Sequence, residues 1–313
     1  MPFNSILEYV EGPTGLNWTL YPVQRFILKL YYGLELDNTQ RTIIVPDMFN
    51  EQERFRFTEQ EYLRFLFEEG RCSISDQSSI PRRGMILSVG RRTGKNMLAG
   101  FIATYTIIEL LQMMNPHPVF GLTPRQTLYV MCFSMSTDLR DALASELHTN
   151  VDHCQALRSA VTSSSIANIT FETYAGRQAG LTQGNLRLRS YSNIARTRGC
   201  STVQLVLNEL AHMNHEAEVY ASLMPTVSNP GRYIILSTPR EASGSFYNAF
   251  RWGMQNHNQD SPLALQIPTW EIQPNVGDGY LRAQHELDPH RFLVEFGAVW
   301  EHHGRLITID VTI

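Results

Sequence analysis

Short apolar runs alternate with helical segments from residue 85 onward, and this alternation limits the possible folds more than any other feature of the sequence. Four continuous apolar runs predict strands, and two longer periodic segments predict helices. They are 85–90, 128–134, 203–207 and 233–237 for the strands, and 95–114 and 137–151 for the helices. Strands that are apolar throughout are typical of a parallel sheet covered on both faces. We therefore predict an α/β fold in which helices flank a mostly parallel central sheet.

The segments outside these elements have other patterns. Residues 1–80 are predicted to be mainly helical, because apolar residues recur at helical spacing in 21–32 and 59–69. Alternating residues at 169–173 and 185–190 predict exposed or edge strands. The predicted organisation is a helical N-terminal region (1–80), an α/β core (81–255) and a lid or linker (256–313).

Composition excludes several classes of protein. With 43% hydrophobic and 18% charged residues over 313 positions, the chain can bury a sizeable core and is not of the disordered class. The apolar stretch 97–114 contains Glu109, so it is predicted to be a buried helix and not a membrane span. Four well-separated cysteines have no zinc-site spacing and indicate reduced thiols in a cytosolic protein. The net charge of −4 still permits a local basic groove.

A glycine-rich turn joins the strand at 85–90 to the next helix. Its residues are Gly90, Arg91, Arg92, Thr93, Gly94, Lys95 and Asn96. The order of strand, turn, lysine and helix is that of a nucleotide phosphate loop, although an ordinary strand-to-helix turn is the alternative. Backbone N–H groups at a helix start bind anions, and Lys95 would neutralise the β- and γ-phosphate oxygens. Lys95 is one of only two lysines beside 24 arginines, which distinguishes it from a routine surface charge.

A single acid, Glu209, follows the strand at 203–207. In a phosphate-loop ATPase, a carboxylate at this position orients and polarises the attacking water. Asn208 stands where an aspartate usually holds Mg²⁺, and Asn96 stands where a serine or threonine does so. Taken alone, Asn208 would instead be the N-cap of the next helix.

Ser237 and Thr238 end the strand at 233–237, where their hydroxyls are placed to sense a γ-phosphate, and Pro239 breaks the strand. With this block the sequence resembles the ATPase half of the large terminase subunit of tailed phages, over about residues 15–300. Four segments match that family in order and spacing: LYPVQ (20–24), SVGRRTGKN (88–96), LVLNELAHM (205–213) and LSTPREASGSFYNAF (236–250). The resemblance implies a P-loop NTPase of the ASCE type, with its ATPase core at 81–255.

The resemblance also implies individual roles. Gln24 would recognise adenine, because an amide can donate to and accept from the base edge, although taken alone it is an ordinary polar residue of an amphipathic helix. Arg91 would stabilise transition-state charge or sense ATP. Glu209 would be the catalytic carboxylate. Ser237 and Thr238 would form the coupling motif that links hydrolysis to movement.

A basic loop precedes the strand at 203–207 and resembles the family's arginine–glycine turn. Arg198, or else Arg196, would then be an arginine finger delivered to a neighbouring subunit. A solvent-facing basic loop is the alternative. Together with Arg187 and Arg189, these arginines could also lie near DNA phosphates.

Two features depart from the family pattern. Asn96 and Asn208 offer amide oxygens without negative charge, so we expect weak Mg²⁺ binding, or Mg²⁺ held mainly through the phosphates and Glu209. The family usually continues into a nuclease domain, whereas the last residues here offer only Asp310 as a metal-binding carboxylate. We therefore expect no nuclease activity from these residues.

The resemblance implies an ATPase that uses ATP and Mg²⁺ to translocate double-stranded DNA, independently of sequence, into a viral capsid. Its expected partners are the portal protein, the small terminase subunit and further copies of the chain in a ring on the portal; no membrane is expected. It would act in the host cytoplasm and transiently at the procapsid portal vertex. Two alternatives remain open. One is a helicase-like ATPase acting on nucleic acid, and the other is a nucleotide-binding ring component with little turnover.

Overall fold

The computed structural model describes residues 3–47, 54–181, 183–197, 199–256, 261–273 and 276–307. The strands are β1 (Ile43–Pro46), β2 (Arg54–Phe57), β3 (Gly84–Val89), β4 (Leu128–Ser134), β5 (Val161–Ser165), β6 (Asn168–Phe171), β7 (Leu186–Tyr191), β8 (Ser201–Asn208), β9 (Val227–Ser237), β10 (Leu263–Ile267), β11 (Trp300–His302) and β12 (Arg305–Ile307). The α-helices are α1 (Ile6–Glu11), α2 (Pro22–Tyr32), α3 (Glu59–Glu68), α4 (Lys95–Gln112), α5 (Thr137–His153), α6 (Gln155–Arg158), α7 (Tyr174–Gln178), α8 (Glu216–Leu223), α9 (Gly244–Gln255), α10 (Thr269–Ile272), α11 (Asp278–Leu287) and α12 (Pro289–Glu295).

Eight of these strands form one sheet, in the order β10-β3-β9-β8-β4-β7-β6-β5. Strand β10 pairs with β3 in parallel, and β4 pairs in parallel with both β7 and β8. At the other end of this sheet, β5 pairs with β6 and β6 pairs with β7 in antiparallel fashion. The sheet is therefore mostly parallel and accompanied by helices, which confirms the predicted fold class.

The four predicted apolar strands and the four predicted helices are present, because buried runs and periodic faces are strong local signals. The two predicted exposed or edge strands are present as β6 and β7, whereas β1, β2, β5, β10, β11 and β12 were not predicted. Strand β7 is not an edge strand, since it lies between β4 and β6; the sheet ends at β5, whose sequence VTSSS has no apolar pattern. The pair β1–β2 lies within residues 1–80, which were predicted to be mainly helical, and β10 lies in the predicted lid or linker segment.

The chain is divided into two compact units. The first comprises Met1–Thr19, Gly94–Asn208 and Met213–Ile234. Its centre is α4, which is buried along most of its length, and Tyr9 donates a 2.8 Å hydrogen bond to Thr104 of that helix. The prediction of a buried helix in this segment is therefore confirmed. No helix among the described residues combines the length and the apolar character needed to cross a bilayer.

The second unit comprises Leu20–Thr93, Glu209–His212 and Ile235–Ile313. Its interior holds a buried polar network in which Arg71 binds both carboxylate oxygens of Glu271, at 2.9 and 2.7 Å, and Tyr62 donates to the same carboxylate. Burial, with the Glu271 charge beside it, raises the pKa of Tyr62 well above its ordinary value. Removing one partner of a buried ion pair destabilises the folded state by about 3–5 kcal/mol, because the other charge is left buried and unpaired. The network therefore stabilises the packing of α3 against α10.

Candidate active site

The turn between β3 and α4 has a strained backbone. Arg92 has a φ of 63° and Gly94 a φ of 79°, so both residues are left-handed. Such a conformation is uncommon for a residue with a side chain and recurs at functional sites. Thr93 is fully buried, and its hydroxyl donates to the Gly90 carbonyl at 3.0 Å. Thr93 was predicted to bind nucleotide as one of the loop residues, and its hydroxyl makes a hydrogen bond within the loop itself.

Gly90 is constrained by the segments that pack on it. A Cβ at this position would collide with Oγ1 of Thr269 and with the carbonyl oxygen of Phe296. The Thr269 hydroxyl also donates to the Arg91 carbonyl at 2.8 Å. Glycine is thus required here for close packing of the second unit, which is a reason that the loop motif did not reveal.

Gln24 lies on α2 and is 1% exposed. Its Nε2 donates to the Thr93 carbonyl, and its Oε1 accepts from the N–H of Tyr21, both at 3.2 Å. These bonds brace the phosphate loop from the helix beside it. The adenine role remains a prediction, and the structure adds a bracing role that the isolated sequence position could not indicate.

Arg91 has an acidic partner. Its Nε lies 2.5 Å from Oε2 of Glu295, and its backbone N–H donates to the Glu295 carbonyl at 2.7 Å. The next residue, Arg92, places its guanidinium 4.5 Å from the ring centre of Tyr280. A cavity of about 450 Å³ borders both arginines and helices α11 and α12. The arginine predicted to sense ATP is therefore held by a carboxylate beside an open space.

In the first unit, Lys95 is the first residue of α4 and is only 8% exposed. Beside it, Asn208 ends β8 and donates from Nδ2 to Oδ1 of Asn96 at 2.8 Å. The side-chain amide of Asn208 thus donates to α4. Its Oδ1, the atom that an N-cap would use, accepts no hydrogen bond from the described residues, so Asn208 is not the side-chain cap of the next helix. Because Lys95 directly precedes Asn96, this bond joins the end of β8 to the helix that begins with the predicted phosphate-binding lysine.

The two asparagines also decide what the protein could offer to Mg²⁺. Oδ1 of Asn96 is already used by Asn208, whereas Oδ1 of Asn208 is buried and has no hydrogen-bond partner among the described residues. Nowhere in the described part of the chain do three or more His, Cys, Asp or Glu side chains form a group that could hold a metal ion. The donor set fits an ion whose other ligands are phosphate oxygens and water.

Glu209 has a φ of 60°, so the predicted catalytic carboxylate sits on left-handed backbone. Its N–H donates to the Leu236 carbonyl at 2.8 Å. Its Oε2 accepts from the Ser237 hydroxyl at 3.3 Å and from the Thr238 N–H at 3.2 Å. Within the second unit, the structure thus brings together the carboxylate and the predicted coupling motif.

Two predicted residues cannot be placed. Arg198 and Asp310 lie outside the described residues. Arg196 ends a short 3₁₀ helix (Ile194–Arg196), of which only the backbone is described at this position. The assignment of an arginine finger therefore stays a prediction.

Comparisons with known proteins reach the same fold by another route. No family model matches the chain, and no curated protein matches it. Among solved structures, a mutant of the large terminase ATPase domain of Thermus phage P74-26 is 16% identical, with 70% of this chain and 90% of that chain covered and a TM-score of 0.54. The unmutated domain is 18% identical, with 69% and 88% covered and a TM-score of 0.51.

The fold of this chain is therefore that of a large terminase ATPase domain, and the resemblance read from the four sequence blocks is confirmed at the level of the fold. At 16–18% identity the likeness establishes the fold alone.

Proposed function

We propose that the chain is an ATP-hydrolysing motor subunit that translocates double-stranded viral DNA into a capsid. The fold supports an ATPase of this kind. The observation that carries the proposal is the Asn208–Asn96 hydrogen bond, because it ties the strand leading to Glu209 to the helix that begins at Lys95. Phosphoryl transfer to water requires positioning and charge stabilisation, and these residues are of the types that supply both.

In the proposed reaction, the N–H groups of the loop and the Lys95 ammonium bind the β- and γ-phosphates. Glu209 orients the attacking water and accepts its proton as the oxygen attacks the γ-phosphorus. The bond from that phosphorus to the β–γ bridging oxygen breaks in the same reaction, and ADP is the leaving group. Arg91 exchanges the Glu295 carboxylate for phosphate oxygens when nucleotide binds. Mg²⁺ would neutralise the phosphate charge, and Asn208 Oδ1 would hold the ion or one of its waters.

The hydrogen bonds from Ser237 and Thr238 to Glu209 support a coupling role. Any movement of the carboxylate when nucleotide binds would change the lengths of these bonds. The segment after β9 would then respond to the state of the nucleotide. Hydrolysis and movement would be linked through a few hydrogen bonds. Each hydrogen bond to a charged group contributes about 1.5–3 kcal/mol of stabilisation.

The wider setting is part of the proposal. The motor would contact duplex DNA without sequence preference, bind the portal protein and the small terminase subunit, and assemble with further copies into a ring. It would act in the host cytoplasm and transiently at the procapsid portal vertex. The fold similarity and the four sequence blocks support this setting.

Replacement of Lys95 by alanine tests the proposal. We expect Lys95→Ala to lose ATP binding and hydrolysis, measured by calorimetry and by phosphate release. The matched control is Arg83→Ala, which removes an exposed cation of the same chain. If Lys95→Ala hydrolysed ATP like Arg83→Ala, the phosphate-loop assignment would be wrong.

A second candidate is a nucleotide-binding ring component with little turnover. It is favoured by the neutral Asn96 and Asn208, which leave the metal position without a carboxylate. Calorimetric ATP binding without phosphate release, at saturating Mg²⁺ and duplex DNA, would support this candidate over the motor. A helicase-like ATPase would instead separate the strands of a labelled duplex, which a packaging motor should not do.

A further inference from the structure

The antiparallel end of the sheet, within the first unit, carries a polar face that the proposed ATPase chemistry does not use. Strand β7 alternates buried leucines with Arg187 and Arg189, so the two arginines share the other face of the strand. The β6 residues opposite them are Thr170 and Asn168. On the next strand, Ser163 is opposite Thr170. We call this surface the Arg187–Arg189 face.

A cavity of about 530 Å³ lies on this face. Its lining residues are Thr162, Ser163, Asn168, Thr170, Gln183, Arg187 and Arg189. They comprise two cations, three hydroxyls and two amides, with no carboxylate among them. A concave surface with this lining favours an anion over a cation or an apolar ligand.

One nitrogen of each guanidinium has no acceptor in the part of the chain that the structure describes. Nε of Arg187 and Nε of Arg189 are both buried and have no hydrogen-bond partner there. A buried donor without an acceptor costs about 1–3 kcal/mol, so the described protein leaves part of the hydrogen-bonding capacity of both arginines unused. Arg189 is also held with its guanidinium 4.6 Å from the ring centre of Tyr191, which limits its orientation before any ligand arrives.

We propose that the Arg187–Arg189 face binds consecutive phosphates of the duplex DNA backbone. Alternate residues of a strand are about 7 Å apart, which is close to the spacing of neighbouring phosphates along one DNA strand. The planar guanidinium presents forked N–H donors that match two phosphate oxygens. Contacts of this kind carry no sequence information, as translocation along any DNA requires. The inference rests on the proposed function, because that function makes duplex DNA the partner.

The test is binding of a fluorescently labelled, mixed-sequence DNA duplex, followed by anisotropy over a series of KCl concentrations. The double variant Arg187→Gln/Arg189→Gln is compared with Arg158→Gln/Arg177→Gln, which removes two exposed arginines of the same unit. We expect roughly tenfold weaker binding for the first variant. We also expect its slope of log affinity against log salt to become shallower by about 1 for each arginine. The control should retain the wild-type slope.

Thermal unfolding is measured for every variant. If the glutamine variant is unfolded, Arg187→Lys/Arg189→Lys takes its place; it keeps the charge and loses the fork, so binding should weaken while the salt slope stays near the wild-type value. Unchanged duplex affinity in the folded variant would overturn the inference. Equal weakening in the control would also overturn it, because net charge alone would then explain binding.

ATP hydrolysis by the wild-type chain is recorded in parallel. If the wild type hydrolyses ATP and the Arg187–Arg189 variant binds duplex DNA normally, only the proposed contact with the DNA backbone is wrong. If the wild type binds duplex DNA through this face and does not hydrolyse ATP, the contact with the DNA backbone is supported and the motor proposal is wrong.

Discussion

Two regions of the molecule differ in how many of their polar side chains bond to the protein. Around the phosphate loop and around the carboxylate after β8, three side-chain hydrogen bonds hold the site residues, and Oδ1 of Asn208 is the site oxygen that has no partner among the described residues. The bonded pairs are Gln24 with Thr93, Asn208 with Asn96, and Ser237 with Glu209. On the Arg187–Arg189 face, two guanidinium nitrogens are buried without a partner among the described residues. The first region is pre-organised by its own contacts, as catalysis requires. The second has donors that a partner from outside could satisfy.

The largest effect should come from the pre-organised region. We expect Glu209→Gln to lower the ATP hydrolysis rate about 10²- to 10⁴-fold while ATP binding is kept, because the amide can orient water but cannot accept its proton. Phosphate release and calorimetric ATP affinity are the measurements. Glu35→Gln, which removes an exposed carboxylate of the same unit, should hydrolyse ATP like the wild type. Equal rates in the two variants would remove Glu209 from catalysis.

The bond between the carboxylate and the coupling motif should matter less. Ser237→Ala removes one of the two described donors to Glu209 Oε2 and leaves the Thr238 N–H in place. We expect hydrolysis to fall about tenfold, which corresponds to one hydrogen bond to a charged group. Translocation measured per ATP consumed should fall further than hydrolysis. A proportional loss of both would show that Ser237 positions the base without coupling it to movement.

The smallest effect is expected at the metal position. Asn208→Asp adds a negative charge where the buried Oδ1 has no partner. The Mg²⁺ concentration that gives half the maximal ATPase rate should fall several-fold, since carboxylates are the protein ligands that Mg²⁺ prefers. The readout is a Mg²⁺ titration at constant total ATP. No change in the half-saturating concentration would exclude Asn208 from the metal's surroundings.

The sequence was most informative where one local signal determines one structural feature. The apolar runs of β3 and β8, and the glycine–lysine turn between β3 and α4, predicted the parallel core and the position of the loop. Strand β5 was missed because VTSSS becomes a strand only by pairing with β6. Strand β10 was missed because a five-residue apolar run does not distinguish strand from helix by periodicity.

In the candidate site, too, the sequence predicted the features that have a local signal and missed those that depend on tertiary packing. Lys95 and Glu209 were recognisable from their places after strands. The partner of Arg91 was not, since Glu295 is 204 residues away in the sequence and only tertiary packing brings the two together. The bracing of the loop by Gln24 was equally hidden, because it depends on a backbone carbonyl that carries no sequence signature.

The most direct test of the motor proposal is an experimental structure of the chain with Mg²⁺ and a non-hydrolysable ATP analogue. We predict that the phosphates lie against the N–H groups of residues 91–95 and the Lys95 ammonium, with the Glu209 carboxylate facing the terminal phosphorus. Nucleotide bound elsewhere, or a Glu209 side chain directed away from that phosphorus, would contradict the account.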